Sequence, residues 1–146
     1  MIAVDTNLLI YAHRKDSDFH DKALSAVQGL AESGMRWSIP WPCIHEFLAI
    51  TTHPRIFDPP TPPEVAAAAA EAWISAPTCE LLGEGPGYFD ILRAQIEKGH
   101  VSGPMVHDAR IAALCIYHSI KTFWTADRDF SRFPELSVDN PLVSGP

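Results

Sequence analysis

The chain has 146 residues, of which 47% are hydrophobic and 20% are charged, and its formal net charge at pH 7 is -7. This length and composition fit one globular domain with a sizeable core and exclude a disordered chain. Proteins that bind nucleic acid by neutralising many phosphates are normally basic, so the acidic balance excludes that mode of binding. A nucleic acid would have to be held locally or through a bound cation.

The three cysteines, Cys43, Cys79 and Cys115, are far apart and form no Cys-x-x-Cys pair. This spacing supports neither a disulfide framework nor a zinc ribbon, so we expect reduced thiols packed as small apolar groups. Residues 1–5 lack the basic segment of a signal peptide, and no apolar run approaches the ~20 residues of a membrane span. We therefore expect a cytoplasmic protein without a membrane segment.

Short apolar runs predict buried strands, and apolar residues at helical spacing predict helices. In chain order the predicted elements are a strand at 2–4, helices from 8 to 12 and 19 to 31, a strand at 36–39, a helix at 43–51, an alanine-rich helix ending at 75, a strand at 78–82, helices at 88–97 and 104–118, a strand at 121–125 and a fifth, edge strand at 136–138.

Local signals place the ends of two of these helices. Thr6 or Asn7 is predicted to cap the first helix. Thr61 and Glu64 have the spacing of a capping box for the alanine-rich helix. Residues 53–63 contain five prolines, which predicts a rigid surface loop because the chain is too short for two cores.

Strands that alternate with helices of ten or more residues predict an α/β fold, with a central parallel sheet of four to five strands covered on both faces. No internal repeat is present. We expect a single domain over residues 1–139 and a C-terminal tail over residues 140–146. Right-handed crossovers place the carboxyl ends of the strands along one edge, where open α/β folds bind ligands.

Two acids follow the ends of predicted strands. Asp5 comes directly after the first strand, and Asp127 lies two residues beyond Thr125, where the fourth strand ends. Both acids are therefore expected at the carboxyl edge of the sheet. Each of them taken singly is also explained as a turn residue or a helix cap.

Two further acids lie on apolar helical faces. Asp108 continues the face formed by Ile111 and Cys115, although an acid in a first helical turn is also favoured by the helix dipole. Glu46 has the apolar neighbours Cys43 and Ile50 and no Lys or Arg at helical spacing. A carboxylate on such a face is costly unless something pairs with it.

Four carboxylates at one sheet edge would repel one another, which raises their pKa values unless a cation neutralises them. Oxygen ligands without Cys or a cluster of His favour Mg²⁺ or Mn²⁺ over zinc. Such an ion can generate hydroxide from water and stabilise charge on a phosphoryl oxygen. The residues alone therefore predict a metal-dependent phosphodiesterase.

Four segments carry a resemblance to a known family, and they occur in the family's order. They are IAVDTNLLIY at residues 2–11, PCIHEF at 42–47, HDARIAA at 107–113 and FWTADRDF at 123–130. Together they resemble the four motifs of PIN domains, the last in the form found in VapC-type toxins. Any one segment is a weak signal, whereas four in order over nearly the whole chain are specific.

The resemblance implies a three-layer α/β/α PIN-like domain and a Mg²⁺-dependent endoribonuclease of a toxin–antitoxin pair, in which Mn²⁺ substitutes for Mg²⁺. It implies RNA as substrate, a VapB-like antitoxin as partner, and a homodimer. It also implies that Asp5, Asp108, Glu46 and Asp127 are the catalytic and metal-binding residues. Asp5 and Asp108 are expected to be the most direct ligands.

Residues beside these acids have open roles. Asn7 and Thr125 either orient the metal ligands through hydrogen bonds or only cap a helix and end a strand. Asp129 is either part of the site or a cap in a charged turn. Arg128 is a candidate contact to RNA phosphate, because the guanidinium fork matches phosphate geometry.

Competing functions remain open on the sequence alone. The alternative enzyme is a PIN-like structure-specific DNA nuclease, and the alternative without activity is a PIN-like scaffold that binds partners. The presence of all four acids argues against the scaffold. An aspartyl phosphatase would need a second acid two residues after Asp5, where this chain has Asn7.

Overall fold

A computed structural model describes residues 1–143. The elements are β1 (Ile2–Val4), α1 (Thr6–His13), α2 (His20–Glu32), β2 (Trp37–Pro40), α3 (Trp41–Thr51), α4 (Pro63–Ile74), β3 (Cys79–Leu82), α5 (Tyr88–Gly99), α6 (Val106–Tyr117), β4 (Thr122–Trp124) and β5 (Val138–Asp139). Two short 3₁₀ helices lie at Gly103–Met105 and Arg128–Arg132. The predicted alternation of strands and helices is confirmed.

The five strands form one sheet in the order β3-β2-β1-β4-β5, and all neighbouring strands are parallel. Ala3 of β1 lies opposite Ser38 of β2 on one side and Phe123 of β4 on the other. β1 is therefore the central strand, and its residues Ala3 and Val4 are fully buried. The predicted α/β class and parallel sheet are confirmed.

The helices pack against one another and cover the sheet. α1 contacts α2 and α3, α3 contacts α4, and α5 contacts α6. Between α3 and α4 the rings of Phe47 and Trp73 meet edge to face at 4.9 Å. The apolar faces of these helices are thereby buried, which completes the predicted three-layer arrangement.

A chain of aromatic rings anchors the segment that follows β4. Phe123 in β4 contacts Phe130 at 4.9 Å, and Phe130 in turn contacts Phe133 at 6.0 Å. All three rings are buried. The loop that carries Asp127 therefore starts and ends on residues fixed in the core.

The two predicted helix caps are wrong. Helix α1 begins at Thr6 and is capped by Asp5, whose Oδ1 accepts a hydrogen bond from the Thr6 amide at 2.7 Å. Helix α4 begins at Pro63 without a side-chain cap. The Thr61 hydroxyl is instead 3.1 Å from His13 Nε2 and accepts from Arg14 at 3.3 Å. A contact across 47 residues thus replaces the local capping box.

The proline-rich segment between α3 and α4 is held by Arg14. Its guanidinium donates to the Pro59 carbonyl at 3.0 Å and lies 4.3 Å from the centre of the Phe57 ring. Asp16 pairs with the same guanidinium at 2.6 Å. These contacts fix the segment to the C-terminal end of α1.

The remaining expectations concern the chain's end, its thiols and membranes. The predicted tail, residues 140–146, includes Leu142, which is buried in the core, while residues 144–146 lie outside the described part. The three cysteines are free thiols. Within residues 1–143, none of the helices has the length and apolarity needed to cross a membrane.

Candidate active site

The four acids singled out in the sequence line one pocket of about 160 Å³ at the carboxyl edge of the sheet. The residues around it are Asp5, Thr6, Asn7, Ile10, Glu46, Ile50, Asp108, Ile111, Asp127 and Phe130. Four different elements of the chain supply the four carboxylates. The pocket combines an acidic interior with apolar walls from α1, α3 and α6.

The sheet places two of the acids side by side. Val4 at the end of β1 lies opposite Trp124 at the end of β4. The Asp5 amide continues this pairing by donating to the Trp124 carbonyl at 2.9 Å. Asp127 follows three residues after Trp124, so the chain brings it to the same edge as Asp5.

The other two acids come from helices. Glu46 lies in the second turn of α3, which follows β2, and Asp108 lies in the first turn of α6. Both side chains are partly buried. The acids on apolar helical faces are therefore turned toward the sheet edge and not toward open solvent.

Asp5 is only 4% exposed, and four donors surround its carboxylate. Oδ1 accepts from the Thr6 amide at 2.7 Å and lies 3.5 Å from Cys43 Sγ. Oδ2 accepts from the Thr125 hydroxyl at 2.7 Å and from Asn7 Nδ2 at 3.3 Å. These contacts fix the orientation of the carboxylate.

Asn7 and Thr125 extend this network to the loop after β4. Asn7 Nδ2 also donates to Thr125 Oγ1 at 3.1 Å, and Asn7 Oδ1 accepts from the Ala126 amide at 3.2 Å. Thr125 Oγ1 accepts from the Asp127 amide at 3.0 Å. The two polar side chains therefore link the start of α1 to the backbone that carries Asp127.

Two residues of the site were not predicted. The Thr6 hydroxyl donates to Glu46 Oε2 at 2.6 Å, so the partner that Glu46 needs comes from 40 residues earlier. Burial and the Asp5 carboxylate raise the pKa of Cys43 well above its ordinary value, so its thiol keeps the proton that it donates. A hydroxyl beside Asp5 and a thiol one helical turn before Glu46 were the only sequence signals for these contacts.

Asp129 lies close to two of the predicted acids. One carboxylate oxygen from each of Asp108, Asp127 and Asp129 lies within 4.8 Å of the others. Asp127 Oδ1 also accepts from the Asp129 amide at 2.9 Å, which caps the following 3₁₀ helix. Asp127 thus caps a helix and also lines the acidic pocket.

Burial and mutual repulsion act on the protonation of the cluster. Burial raises the pKa of Asp5 from 3.8 to about 6, although the hydrogen bonds from Thr125 and Thr6 oppose the shift. Burial also raises the pKa of Asp108 to about 6, with added repulsion from Asp127 and other acids of the pocket. Arg132 acts in the opposite direction on Asp108 but does not offset these effects.

Four positive side chains of the described residues pair with acids outside the pocket. The ion pairs within residues 1–143 are Arg14–Asp16, Arg36–Glu80, Lys98–Glu135 and Arg110–Glu84. None of these pairs reaches the pocket. A set of oxygen ligands with excess negative charge fits a hard divalent cation such as Mg²⁺ or Mn²⁺.

Arg128 is exposed and follows Asp127 in the chain. It lines a second cavity together with Asp127 and Thr125 and does not line the acidic pocket itself.

A family profile described as PIN domain matches residues 2–136. Ribonuclease VapC48 from Mycobacterium tuberculosis is 34% identical over 139 residues, which cover 94% of this chain and 95% of that protein. VapC ribonuclease Mb2897 from Mycobacterium bovis is 31% identical over 142 residues, with 97% and 96% covered.

Solved structures with the same fold are similar over nearly the whole chain. VapBC2 from Rickettsia felis superposes with a TM-score of 0.67 at 23% identity and covers 96% of this chain and 98% of that chain. VapC20 from Mycobacterium tuberculosis superposes with a TM-score of 0.66 at 16% identity, with 94% and 99% covered. At these identities the structures support the fold alone.

Asp108→Asn is expected to stabilise the metal-free protein near neutral pH, because it removes a carboxylate whose ionisation is opposed by burial and repulsion. The pKa of Asp108 is about 6 in the folded protein against 3.8 for an ordinary Asp. The ionised Asp108 carboxylate therefore destabilises the folded state fully above about pH 6 and not at all below about pH 4. Urea titrations in EDTA should show free energies of unfolding that differ near neutral pH and converge as the pH falls.

The matched control is Asp90→Asn, since Asp90 occupies the same position in the first turn of α5 and is exposed. Loss of its favourable interaction with the helix dipole should lower stability slightly. If Asp108→Asn also lowers stability near neutral pH, Asp108 acts only as a helix-terminal acid and the repulsion is not significant.

Proposed function

Because the chain belongs to the PIN-domain family and, within it, to the VapC ribonucleases, we propose that it is a Mg²⁺-dependent endoribonuclease toxin with a four-carboxylate site. The resemblance stated from the sequence motifs is confirmed by these relatives. They support a hydrolase of the ribonuclease class. The proposal of a four-carboxylate Mg²⁺ site is supported by one observation. A single pocket is lined by Asp5, Glu46, Asp108 and Asp127.

In this proposal Asp5 and Asp108 are the direct ligands of Mg²⁺, and Glu46 and Asp127 complete the site. The raised pKa values of Asp5 and Asp108 support it, because carboxylates that resist ionisation without a cation bind one favourably. The bound ion would lower the pKa of water and stabilise negative charge on the phosphoryl oxygens. Mn²⁺, with similar ligand preferences, would substitute for it.

The surrounding residues keep the carboxylates ready for this role. Donors from Thr125, Thr6 and Asn7 hold Asp5 in one orientation, which favours its ionised form. The Thr6 hydroxyl does the same for Glu46. Preorganised ligands lose little freedom when they bind, so the fold and not the substrate fixes the geometry of the site.

RNA is the substrate that the relatives' names support. Since the chain carries a net charge of -7, contacts to RNA must be local. Arg128, which lines the neighbouring cavity beside Asp127, would pair with a phosphate next to the reacting one. The structure-specific DNA nuclease remains the alternative for the cleavage assay to test.

We also propose that a VapB-like antitoxin binds this chain and that the free chain forms a homodimer. The structurally similar Rickettsia felis protein is a VapBC pair bound to a DNA fragment from its promoter. None of the ion pairs within residues 1–143 reaches the acidic pocket, so its carboxylates attract a positive side chain from a partner. An arginine of the antitoxin could therefore neutralise Asp5 or Asp108 through a bidentate contact.

Asp108→Asn is expected to lower RNA cleavage by more than about a hundredfold, because loss of an outer partner alone costs about 10–100-fold at metal sites. Purified protein should be incubated with RNA and with DNA, in Mg²⁺ and in EDTA. The wild type is expected to cleave RNA but not DNA, and to do so in Mg²⁺ but not in EDTA. Asp90→Asn should cleave like the wild type, and an active Asp108→Asn would show that the site is assigned wrongly.

Asp108 is a better test than Asp5 because of their different environments. Asp5 accepts hydrogen bonds from Thr6, Thr125 and Asn7. The NH₂ group of an Asn at this position is a donor, so it would lie against other donors. Asp5→Asn is therefore expected to combine loss of activity with loss of stability. Asp108→Asn separates the two effects.

Mg²⁺ or Mn²⁺ should raise the melting temperature of the wild type, because an ion bound only by the folded state stabilises it by about 2.7 kcal/mol at a hundredfold excess over Kd. Mn²⁺ should act at lower concentration, since it binds such ligands more tightly than Mg²⁺ does. Asp108→Asn should show a much smaller shift and Asp90→Asn the wild-type shift. Equal shifts in all three proteins would mean that the ion binds elsewhere.

Co-expression with a VapB-like antitoxin should give a stable complex that does not cleave RNA, because the antitoxin occupies the acidic pocket. The complex is purified through a tag on the antitoxin and assayed in Mg²⁺. Cleavage should return when the toxin is separated under denaturing conditions and refolded. A fully active toxin within the intact complex would contradict the proposed mode of inhibition.

A further inference from the structure

The acidic pocket is too small for a nucleotide. Its volume of about 160 Å³ lies below the range of about 300–1,000 Å³ that is typical of pockets for whole small ligands. A reacting phosphate group with its metal ion fits such a space. The nucleobases on either side of the cleaved bond must therefore contact other surfaces.

A larger cavity adjoins the acidic pocket and shares a wall with it. Its volume is about 420 Å³, and its lining residues are Thr125, Ala126, Asp127, Arg128, Ser131, Val138, Asn140 and Val143. Asp127 lines both spaces, while Thr125 lines the larger cavity and donates to Asp5 in the smaller one. The two cavities thus lie on either side of the segment that follows β4.

The position of this cavity follows from the edge strand. β5 pairs with β4 through Val138 opposite Phe123, and the Thr125 amide donates to the Asp139 carbonyl at 3.0 Å. The cavity therefore lies at the carboxyl end of β4 and β5, between the 3₁₀ helix at Arg128–Arg132 and the turn after Asp139. It opens on the same edge of the sheet as the acids.

We propose that this cavity binds an unpaired nucleobase of the RNA, next to the cleaved bond, and so sets sequence preference at that position. The inference rests on the proposed ribonuclease function. Val138, Ala126 and Val143 offer apolar walls for the faces of a base, and Ser131 supplies a hydroxyl for its edge. Proteins read RNA sequence chiefly through unstacked bases of single strands, which enter pockets of this kind.

Arg128 favours a nucleotide over an uncharged apolar ligand. Its guanidinium is exposed and lines the cavity beside Asp127. A base in the cavity would bring its phosphate toward this guanidinium, where charge-assisted hydrogen bonds form. The apolar walls, the single positive charge and the shared wall with the acids together match one nucleotide of an RNA strand.

The test is to fill the cavity and measure sequence preference instead of total activity. The variant is Val138→Trp, which places a large ring where the base would lie. Val65→Trp is the matched control, since Val65 is an exposed valine on α4, away from both cavities. Ser131→Trp fills the cavity from the opposite wall and serves if the first variant does not fold.

Each protein is incubated in Mn²⁺ with a pool of single-stranded RNA of random sequence, and the cleaved ends are sequenced. The wild type and Val65→Trp should prefer particular bases by about tenfold or more at one position beside the cleaved bond, as expected for discrimination by an apolar pocket. Filling the cavity should abolish the preference at that position and leave the others unchanged. An unaltered preference profile, or no preference in the wild type, overturns the proposal.

A binding measurement separates this inference from the proposed function. Short single-stranded RNAs containing 2-aminopurine are titrated with protein in EDTA, where no cleavage occurs. Wild type and Val65→Trp should change the fluorescence of the base, and the filled variants should not. If no RNA is cleaved but this difference is seen, the ribonuclease function fails and the base site stands; equal fluorescence changes in all variants refute the base site.

Discussion

The burial of one carboxylate at the end of the central strand determines the arrangement of the rest of the site. Asp5 is 4% exposed, and burial raises its pKa to about 6. A buried carboxylate is tolerated only when donors surround it. The donors come from the start of α1, from the end of β4 and from α3, so the requirement of a single side chain ties three elements to the sheet edge.

The same contacts position the other acids. Thr125 donates to Asp5 and accepts from the Asp127 amide, so the orientation of one acid is coupled to the backbone of another. Thr6 contributes its amide to Asp5 and its hydroxyl to Glu46. Hydrogen bonds thus hold together groups that repel one another. The repulsion that remains is what a cation would relieve, so the metal-free fold retains an electrostatic cost that would disappear if an ion bound.

Much of the fold was predictable because its signals are local. Short apolar runs and helical periodicity located the strands and helices, and their alternation predicted a parallel sheet. The acids after β1 and β4 could be placed at one edge, because parallel strands share a direction. The α1 cap was mispredicted because the Thr6 and Asn7 side chains bind Glu46 and Thr125, while the adjacent Asp5 caps the helix. The α4 capping box was mispredicted because Thr61 contacts His13 and Arg14 instead. No local pattern encodes the contact between Thr6 and Glu46 across 40 residues or that between Asp5 and Thr125 across 120.

The acidic composition and the proposed action on RNA are compatible because the two concern different length scales. Over the whole surface a net charge of -7 repels phosphates, and screening at physiological salt limits that repulsion to within about 8 Å. At the sheet edge, the attraction to a phosphate would come from a cation held by the acids and from Arg128, which follows Asp127 in the chain. Binding then requires the strand to reach the pocket, so a duplex phosphate backbone lying on the general surface gains little. With the proposed function, an acidic chain of this kind would therefore select RNA by local shape and by accessible single-stranded segments, whereas a basic one would bind any polyanion.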